Sequence, residues 1–494
     1  MSDGGGDADP WDFLSAKKRE VLGEESDAAK VPLEAESGAP SVADGSVNPP
    51  TVRRERGVLR GEMGGPSLKR RGWPMALALA LLALAGYLTE VVASSQMLAR
   101  VGSSALLIIF PLGGIGLILI ALAQFRYIDH RARLPMIRTV SLGYGLAFAI
   151  AVGLLWQSII PVVAIGVVWL LADQLNFLMP LLIWSLASDE FNVAESRKIY
   201  PWIVTWTYAG QLLGLALSAV TPWLLRSTSV PLTALLIIDP IVCVFIALWL
   251  PRVLRGTPAA KGSAKPEQLG AAIRSARDFI EGVPVWRHFF LASVLTFVAG
   301  GTLYLLFLAN AERIIGADAG ELQTLLGWAG LVWFAACWAI QTFAAERIQN
   351  RIGIPGVLLV LPVALVIGGA LLAVGSVTGS LVVLIAGISF WLVPRWSIDE
   401  NARRSALALV PDERRARVSF VVDLVPIATG LIISGPLALF GILTGEYWVI
   451  ALACVVVAAI AIRPSLRVRS EWEDSLLNWR LRRRKQNRTL DFGD

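Results

Sequence analysis

The residues best placed to do chemistry are carboxylates inside otherwise apolar segments. Glu90 lies in the first long apolar run, Asp173 lies within residues 172–176 (ADQLN), and Asp239 immediately precedes Pro240. An ionisable group within a membrane span costs about 2.5–3.5 kcal/mol on insertion scales, so it marks a functional site by default. Such a carboxylate can take up a proton or pair with a cationic solute.

Each of these carboxylates also has a structural interpretation. Glu90 could extend to the outer interface and pair with Arg100, and Asp173 could make a hydrogen bond that only holds helices together. For Asp239, capping or packing beside the kink at Pro240 is the favoured role.

Other polar side chains accompany these acids on the same or neighbouring helices. Asp173 and Asn176 are three residues apart, so they share a helix face. In the fifth apolar run, Thr205, Tyr208 and Gln211 could line a cavity with hydrogen-bonding groups. The predicted substrate- or proton-binding residues are therefore Glu90, Asp173, Gln174, Asn176, Thr205, Tyr208 and Gln211.

Opposite charges occur together where the fourth and tenth apolar runs end. Pairs of this kind at the inner rim can form a gate that breaks and reforms. The alternative is a solvated pair that contributes little energy. The gate candidates are Asp189, Glu190, Arg197 and Lys198 after the fourth run, and Arg395, Asp399, Glu400, Arg415 and Asp423 around and after the tenth.

The elements that must position these residues are membrane helices. The 494 residues are 55% hydrophobic and 17% charged, whereas soluble domains are about a quarter charged. About 20 apolar residues at 1.5 Å per residue span a bilayer. Apolar runs of this length predict about twelve spans at 74–98, 104–124, 138–157, 159–186, 201–224, 231–252, 287–310, 322–344, 354–375, 379–397, 418–440 and 446–463.

Positive charges are concentrated in every second loop, and this pattern predicts the orientation of the chain in the membrane. Alternate loops and the carboxyl-terminal tail carry most of the Arg and Lys, while the other loops hold Arg100, Arg226 and Arg313 and almost nothing else. The positive-inside rule therefore places both termini in the cytoplasm. The predicted organisation is a disordered cytoplasmic segment 1–72, a first half 73–252, a linker 253–286 with an amphipathic helix at 266–281, a second half 287–464 and a basic tail 465–494.

The chain also shows signs of duplication. Arg126–Arg133 follows the second span, and a similar charged turn, 346–351, follows the eighth, about 220 residues later. Two six-helix halves joined by a longer cytoplasmic segment resemble the plan of the major facilitator superfamily. The predicted fold class is therefore an all-α integral membrane protein with two six-helix pseudo-repeats.

Some motifs are more specific than hydropathy. Residues 184–201 (WSLASDEFNVAESRKIYP), followed by Ala209, Gly210 and Gly214, resemble the ATP/ADP translocase family of bacteria and plastids. Residues 410–417 (VPDERRAR), followed by Asp423, resemble that family's second-half motif, and residues 353–362 resemble its ninth helix. The resemblance covers about 75–465 and implies a secondary transporter that exchanges nucleotides.

The first span departs from the family pattern. The family has a lysine in this helix, which helps to neutralise a polyphosphate, whereas residues 75–97 contain neither Lys nor Arg and carry Glu90. A carboxylate there would repel a nucleotide. The sequence therefore argues against a nucleotide as the solute.

No enzyme or cofactor motif is present in the sequence. It has no P-loop and no HExxH, and Cys243, Cys337 and Cys454 lie apart inside apolar runs, which is typical of buried packing residues. We therefore predict a non-enzyme without a cofactor or bound metal. Trp328, Trp333 and Trp338 of the eighth span are expected to face lipid.

The sequence as a whole predicts a secondary transporter of the bacterial inner membrane that moves a small solute, such as a nucleotide or another organic ion, by rocking two halves about a midplane site. Two other functions stay open: a non-transporting scaffold or sensor that uses the long amino-terminal segment, and, less favoured, an enzyme acting on lipid. The expected partners are the solute and the bilayer, with anionic lipid at the basic tail and no nucleic acid.

Overall fold

The structure is a computed structural model of the chain, and it describes residues 68–127, 133–191, 193–254, 269–407, 410, 418 and 420–490. These residues belong to one compact unit, Pro66–Asp494. Nearly all of them are helical. The predicted disordered segment, 1–72, lies outside the described residues as far as position 67.

Twelve apolar helices are present in the described ranges. Eleven are long and apolar enough to cross a membrane, and the remaining one contains the shorter apolar stretch Ser103–Leu119. The prediction of an all-helical membrane protein with about twelve spans is therefore confirmed.

The helices are numbered in chain order. The first half comprises α1 Leu68–Val101, α2 Leu106–Tyr127, α3 Arg133–Trp156, α4 Pro161–Glu190, α5 Val193–Leu225 and α6 Ile238–Val253. The linker contributes α7 Leu269–Gly282. The second half comprises α8 Pro284–Ile315, α9 Ala319–Phe343, α10 Ala345–Thr378, α11 Leu381–Pro394, α12 Glu400–Leu407, α13 Val425–Thr444 and α14 Tyr447–Leu490.

Local sequence sets where several helices begin, bend and end. Pro161 and Pro284 begin α4 and α8 at a position where the missing N–H costs nothing. Asp318 caps α9, since its carboxylate accepts from the N–H groups of Gly320 and Glu321 at 2.8 and 3.0 Å. Gly353 interrupts α10 with φ 72°, a conformation that favours glycine, so the helix bends there.

Two π-helical turns interrupt the regular helices of the second half. Arg395–Asp399 joins α11 to α12, and Phe420–Leu424 precedes α13. The sequence did not predict either turn. Insertions of this kind are frequent at functional sites, because they change the direction in which side chains point.

The same helix pairs pack together in each half. In the first half α1 packs on α5, and α3 packs on α4 and α6; in the second half α8 packs on α13, and α10 packs on α11 and α14. Besides a smaller contact between α1 and α9, the halves meet through two main pairs, α2 with α13 and α5 with α9. We call these two pairs the seams. They correspond to one another under the same repeat, so the architecture is a duplicated six-helix unit.

Glycines allow close approach at both seams. A β-carbon at Gly114 of α2 would lie 2.6 Å from the carbonyl oxygen of Ala428 in α13, and one at Gly327 of α9 would lie 2.7 Å from Ala219 Cα in α5. Small residues at helix interfaces bring backbones together, which is how membrane helices associate without a strong hydrophobic force.

Two expectations about side chains have different outcomes. Cys243, Cys337 and Cys454 are free and buried, as predicted. The lipid-facing prediction is wrong for Trp333, because its ring is 5% exposed and its Nε1 donates to Ser389 Oγ at 2.8 Å. Trp328 and Trp338 are exposed, so only one face of α9 points away from the protein.

Candidate functional site

The two acids from the centre of the first half lie close together and meet a tyrosine of the second half. Glu90 on α1 and Asp173 on α4 are near enough for their charges to interact, and Tyr304 on α8 lies beside Glu90. Both carboxyl residues are half-buried, although they lie deep among the helices. Glu90 therefore lies inside the protein against the second half, rather than with Arg100 at the interface.

Aromatic rings from both halves pack on Tyr87 and Tyr304, the two tyrosines near Glu90. Tyr87 of α1 meets Phe334 of α9 edge to face at 4.7 Å between centroids. Phe110 of α2 lies 6.2 Å from the Tyr304 ring and 6.3 Å from the Trp169 ring. Carboxylates among aromatic faces form a surrounding that favours a cationic or protonated group.

The polar neighbours of Asp173, Asn176 and Gln174, contact glycines of adjacent helices. A β-carbon at Gly86 of α1 would overlap Asn176 Oδ1, so Asn176 packs directly on that glycine. Gln174 is buried, and its Nε2 lies 3.5 Å from the carbonyl oxygen of Gly113 in α2. Asp173 and Asn176 share a helix face as predicted, but Asn176 serves the packing of α4 on α1.

Tyr208 connects the two halves at the α5–α9 seam. Its hydroxyl donates to Gln341 Oε1 of α9 and lies 3.3 Å from the carbonyl oxygen of Trp396 in the first π-helical turn. Gln211 is half-buried, and its Oε1 has no hydrogen-bond partner among the described residues. Thr205 is exposed and donates to the Pro201 carbonyl oxygen of its own helix.

Asp239 occupies a separate buried position at the start of α6. It is 0% exposed, and Thr89 Oγ1 of α1 donates to its Oδ2, while Oδ1 has no partner among the described residues. Thr89 is the residue before Glu90, so α6 supports the helix that carries the central acid. This contact is consistent with the packing role that the sequence favoured.

A charged cluster lies at the first π-helical turn. Arg395 Nη1 donates to Glu400 Oε2 at 2.6 Å and to Asp399 Oδ2 at 3.4 Å. Arg403 Nε donates to the same Asp399 oxygen at 2.6 Å, and Arg404 Nε donates to Glu400 Oε1 at 3.0 Å. Arg395 and Asp399 are 4% and 1% exposed. The alternative of a solvated pair is therefore wrong for these two residues.

This cluster, which we call the π-turn cluster, is held against α8. Arg403 Nη1 donates to Ser293 Oγ at 2.6 Å, and the Arg395 guanidinium lies 4.9 Å from the Phe297 ring and 5.1 Å from the Trp396 ring. Asp423 of the second π-helical turn acts electrostatically on Arg395. Buried charges are stable only when they are paired and hydrogen-bonded in this way.

The corresponding residues of the first half have a different partner from the expected one. Glu190 accepts from Arg71 Nε at 3.1 Å, and Glu195 accepts from Arg71 Nη1 at 2.9 Å. Lys198 is exposed. The side chains of Asp189, Arg197 and Arg415 lie outside the described residues, so their predicted gating role stays a prediction.

Sequence reasoning missed several residues that the fold brings to these places. Tyr304, Gln341 and Ser293 are uncharged residues in apolar helices, and their types alone gave no signal. Arg71 and Arg403 carry a signal, since each is a charge at the end of a predicted span, but their partners depend on helix packing.

The described residues contain no group of His, Cys, Asp and Glu that could hold a metal ion. A small cavity lies in the second half beside Arg403 and Ser293, between α8, α10 and α14. It is separate from the Glu90–Asp173 pair and holds about one water molecule at most.

No protein-family model matches the chain, and no curated protein matches its sequence. Solved structures do match it. The nucleoside transporter NupG is 14% identical with a TM-score of 0.57, and the match covers 80% of this chain and 98% of that one. A bacterial homologue of the human lysosomal transporter Spinster, in an inward-facing conformation, is 14% identical with a TM-score of 0.54, covering 83% and 99%.

A third structure has the same arrangement. A bacterial homologue of the iron transporter ferroportin, in an inward-facing state, is 13% identical with a TM-score of 0.57, covering 82% of this chain and 99% of that one. The chain has the major facilitator fold. At these identities the likeness concerns the fold alone. The chain is thus a multi-pass membrane protein of this fold, and its solute has to be argued from its own residues.

Proposed function

We propose that this protein is a secondary active transporter that moves a small solute across a membrane by rocking its two halves about the Glu90–Asp173 pair. The observation that carries the proposal is the proximity of Glu90 of the first half to Tyr304 of the second and to Asp173. An intramembrane acid at the contact between two repeats is positioned to respond when the halves move.

The contacts at the α5–α9 seam could hold the two halves together on one side of the transporter. Tyr208 reaches Gln341 and the Trp396 carbonyl oxygen from the opposite half. Rocking the halves apart would break both contacts, whereas the hydrogen bonds within the π-turn cluster could persist. Tyr208 is therefore assigned to closing the solute path between the halves. The predicted gate residues Arg395, Asp399 and Glu400 are assigned to shaping the π-helical turn that Tyr208 contacts.

The acid pair favours a solute that is cationic or moves with protons. Glu90 and Asp173 bring two carboxyls together, and Tyr87 and Tyr304 lie near Glu90. Nucleotide exchange, which the sequence resemblance implies, needs cations in that place. We therefore disfavour a nucleotide while keeping the transporter.

The membrane and the orientation are also part of the proposal. We propose the bacterial inner membrane with both termini in the cytoplasm, because Arg and Lys are concentrated in alternate loops and the tail. The basic residues of the tail support an attraction to anionic lipid, worth about 1 kcal/mol per residue near the surface.

Ligand binding followed by flux tests this function. We would measure thermal unfolding of the detergent-purified protein with organic cations, nucleosides, nucleotides and other organic anions at two pH values, because a ligand of the folded state raises the midpoint. Solutes that raise it would then be tested for counterflow in proteoliposomes. We expect flux of at least one solute, lost in Glu90→Gln and in Asp173→Asn.

Glu446→Gln is the matched control, since Glu446 lies in the exposed turn between α13 and α14 and should leave flux unchanged. Equal flux in wild type and in both central variants would refute the role of the acid pair. If the folded wild-type chain moves no solute of the panel, the scaffold function becomes the better hypothesis, and deletion of residues 1–67 should then release a bound partner.

A further inference from the structure

Each acid of the central pair has an aromatic residue one turn away along its own helix, in opposite directions. We call the end of the bundle where α1 passes into α2 the α1–α2 end, and the opposite end, where the π-helical turns lie, the π-turn end. Trp169 precedes Asp173 by four residues on α4, which starts at the α1–α2 end. Tyr87 precedes Glu90 by three residues on α1, which starts at the π-turn end. Residues at these spacings share a helix face.

Phe110 of α2 lies on the side of the pair that faces the α1–α2 end. A β-carbon at Gly113 would lie 3.4 Å from Asp173 Oδ2, so Gly113 is level with that carboxylate. Phe110 comes three residues before Gly113, about 4.5 Å nearer the α1–α2 end. Its ring centroid lies 6.3 Å from that of Trp169 and 6.2 Å from that of Tyr304. Because Tyr304 belongs to the second half, the Phe110 ring joins the two halves at this level.

Phe334 of α9 lies on the side of the pair that faces the π-turn end. Its ring meets the Tyr87 ring edge to face, with centroids 4.7 Å apart and planes at 74°. The level of this contact follows from the adjacent Gly86, where a β-carbon would overlap Asn176 Oδ1. Asn176 comes three residues after Asp173, about 4.5 Å nearer the π-turn end. The Tyr87–Phe334 contact therefore joins the two halves on the other side of the acids.

The rings of both contacts are packed inside the bundle. Phe110, Trp169 and Phe334 are buried, and the centroid distances fall within the range of about 4.5–7 Å that favourable aromatic pairs adopt. Tyr304 also stacks on the fully buried Phe307, at 6.5 Å. Each contact joins a ring of the first half to a ring of the second, so it exists only while the halves are together at that level.

We propose that Phe110 and Phe334 are the two gates of the transport path, Phe110 closing the acid pair from the α1–α2 end and Phe334 closing it from the π-turn end. The inference rests on the proposed transport function. When the halves separate at one end, the aromatic contact at that end breaks while the other is kept, and the solute reaches the acids from one side only. Both contacts are made in this structure, so both gates are closed.

A single cysteine at the acid pair reports which side is open. The background is the full-length chain in which Cys243, Cys337 and Cys454 are replaced by Ser, so that Asp173→Cys supplies the only thiol. A positively charged methanethiosulfonate reagent, which does not cross the bilayer, is added to right-side-out or to inside-out membrane vesicles. The labelling rate from each face then measures access to the acid pair from each end.

Phe110→Ala should open the path from the α1–α2 end. We expect labelling at least about fivefold faster in right-side-out vesicles, in which the proposed orientation exposes that end, and an unchanged rate in inside-out vesicles. Phe245→Ala is the matched control, since Phe245 is exposed and stacks on Trp249 of its own helix at 5.3 Å; it should change neither rate. An unchanged rate in Phe110→Ala, or the same increase from both faces, would overturn the proposal.

Phe334→Ala should open the path from the opposite face. The Tyr208–Gln341 bridge lies seven residues farther along α9, about 10 Å nearer the π-turn end. The variant is therefore made in the Tyr208→Phe chain, and Tyr208→Phe alone is its control. We expect the double variant to be labelled at least about fivefold faster than Tyr208→Phe in inside-out vesicles only. Equal rates in the two chains would remove Phe334 as a gate.

Phe110→Leu and Phe334→Leu replace the alanine variants if these fail to fold. Leucine keeps most of the apolar volume but removes the ring contact, so the same face should become more accessible, by a smaller factor. No increase from that face would again overturn the proposal.

The flux measurement on the chain with Asp173 intact distinguishes this proposal from the general one. Flux that depends on Glu90, together with labelling that neither phenylalanine affects, would remove the two gates and keep the transporter. Labelling that each phenylalanine controls from its own face, without flux of any solute, would keep the two closures and remove transport.

Discussion

The Tyr208 hydroxyl on α5 donates to Gln341 Oε1 on α9, and so one side chain bridges the two halves of the fold. The same hydroxyl lies near the Trp396 carbonyl oxygen of the π-helical turn. The residues are 133 positions apart in the chain. The contact forms only because the α5–α9 seam is closed in this structure.

Removing this hydroxyl should loosen the closed seam. In Tyr208→Phe the hydrogen bond is lost while the ring remains, so the closed state should lose about 1 kcal/mol relative to the open one. Cys337 reports the change, because it is 1% exposed, lies one turn from Gln341 and faces the Val393 carbonyl oxygen of α11. Its labelling by a membrane-permeant maleimide should become about fivefold faster.

The background for this measurement is a chain in which Cys243 and Cys454 are replaced by Ser. Tyr447→Phe serves as the control, since Tyr447 lies at the start of α14 and contacts Arg313. Equal labelling rates in Tyr208→Phe and the unmodified background would show that the hydroxyl does not hold the seam.

A β-carbon at Gly86 should force α1 and α4 apart. Gly86→Ala would overlap Asn176 Oδ1, and overpacking of this kind costs about 1–3 kcal/mol. The unfolding midpoint should therefore fall. Asn176→Ala in the same chain should restore most of the loss, because it removes the overlapping amide; a double-mutant cycle measures this coupling.

Gly143→Ala is the control for Gly86→Ala. Gly143 also lies within a helix, and a β-carbon there would meet nothing within 4 Å. The helix gains about 0.4–1 kcal/mol when glycine is replaced at such a site. If both alanine variants change the midpoint alike, the Asn176 contact does not constrain the helices.

Thr89 should stabilise the protein through Asp239. Thr89→Val keeps the shape of the side chain but removes the donor, so it leaves Asp239 with neither carboxyl oxygen bonded to that helix. The expected loss is about 1–3 kcal/mol, measured as a lower unfolding midpoint. Thr89→Ser retains the hydroxyl and should behave like wild type; a loss in Thr89→Ser as large as that in Thr89→Val would contradict this role of the hydroxyl.

Ser293 should hold the π-turn cluster against α8. Ser293→Ala removes the acceptor of the 2.6 Å bond from Arg403 Nη1, and hydrogen bonds to charged groups contribute about 1.5–3 kcal/mol. The unfolding midpoint should fall accordingly. Ser470→Ala, which removes only an exposed bond to the Arg467 carbonyl oxygen, should have no measurable effect; equal midpoints for the two variants would contradict this role of Ser293.

Much of the fold could be predicted from the sequence because the bilayer is a demanding solvent. Every span needs about 20 apolar residues with internally satisfied backbone groups, so the apolar runs determined the number, order and approximate limits of the helices. The repeated charged turns after corresponding spans indicated the duplication. Glu90, Asp173 and Asp239 were identifiable as unusual because each is an acid within an apolar helix.

The partners of these acids were decided only by the tertiary structure. Which side chains meet depends on the rotation of each helix about its axis and on which helices pack together, and neither follows from apolar content. Glu90 could have paired with Arg100 in its own helix, but α1 turns it toward Tyr304 of α8. Glu190 likewise contacts Arg71, and Trp333 turns inward to Ser389 while Trp328 and Trp338 face outward. The hydropathy of the chain thus specifies which helices cross the membrane. The candidate site around Glu90 and Asp173 forms only when segments that are far apart in sequence pack together.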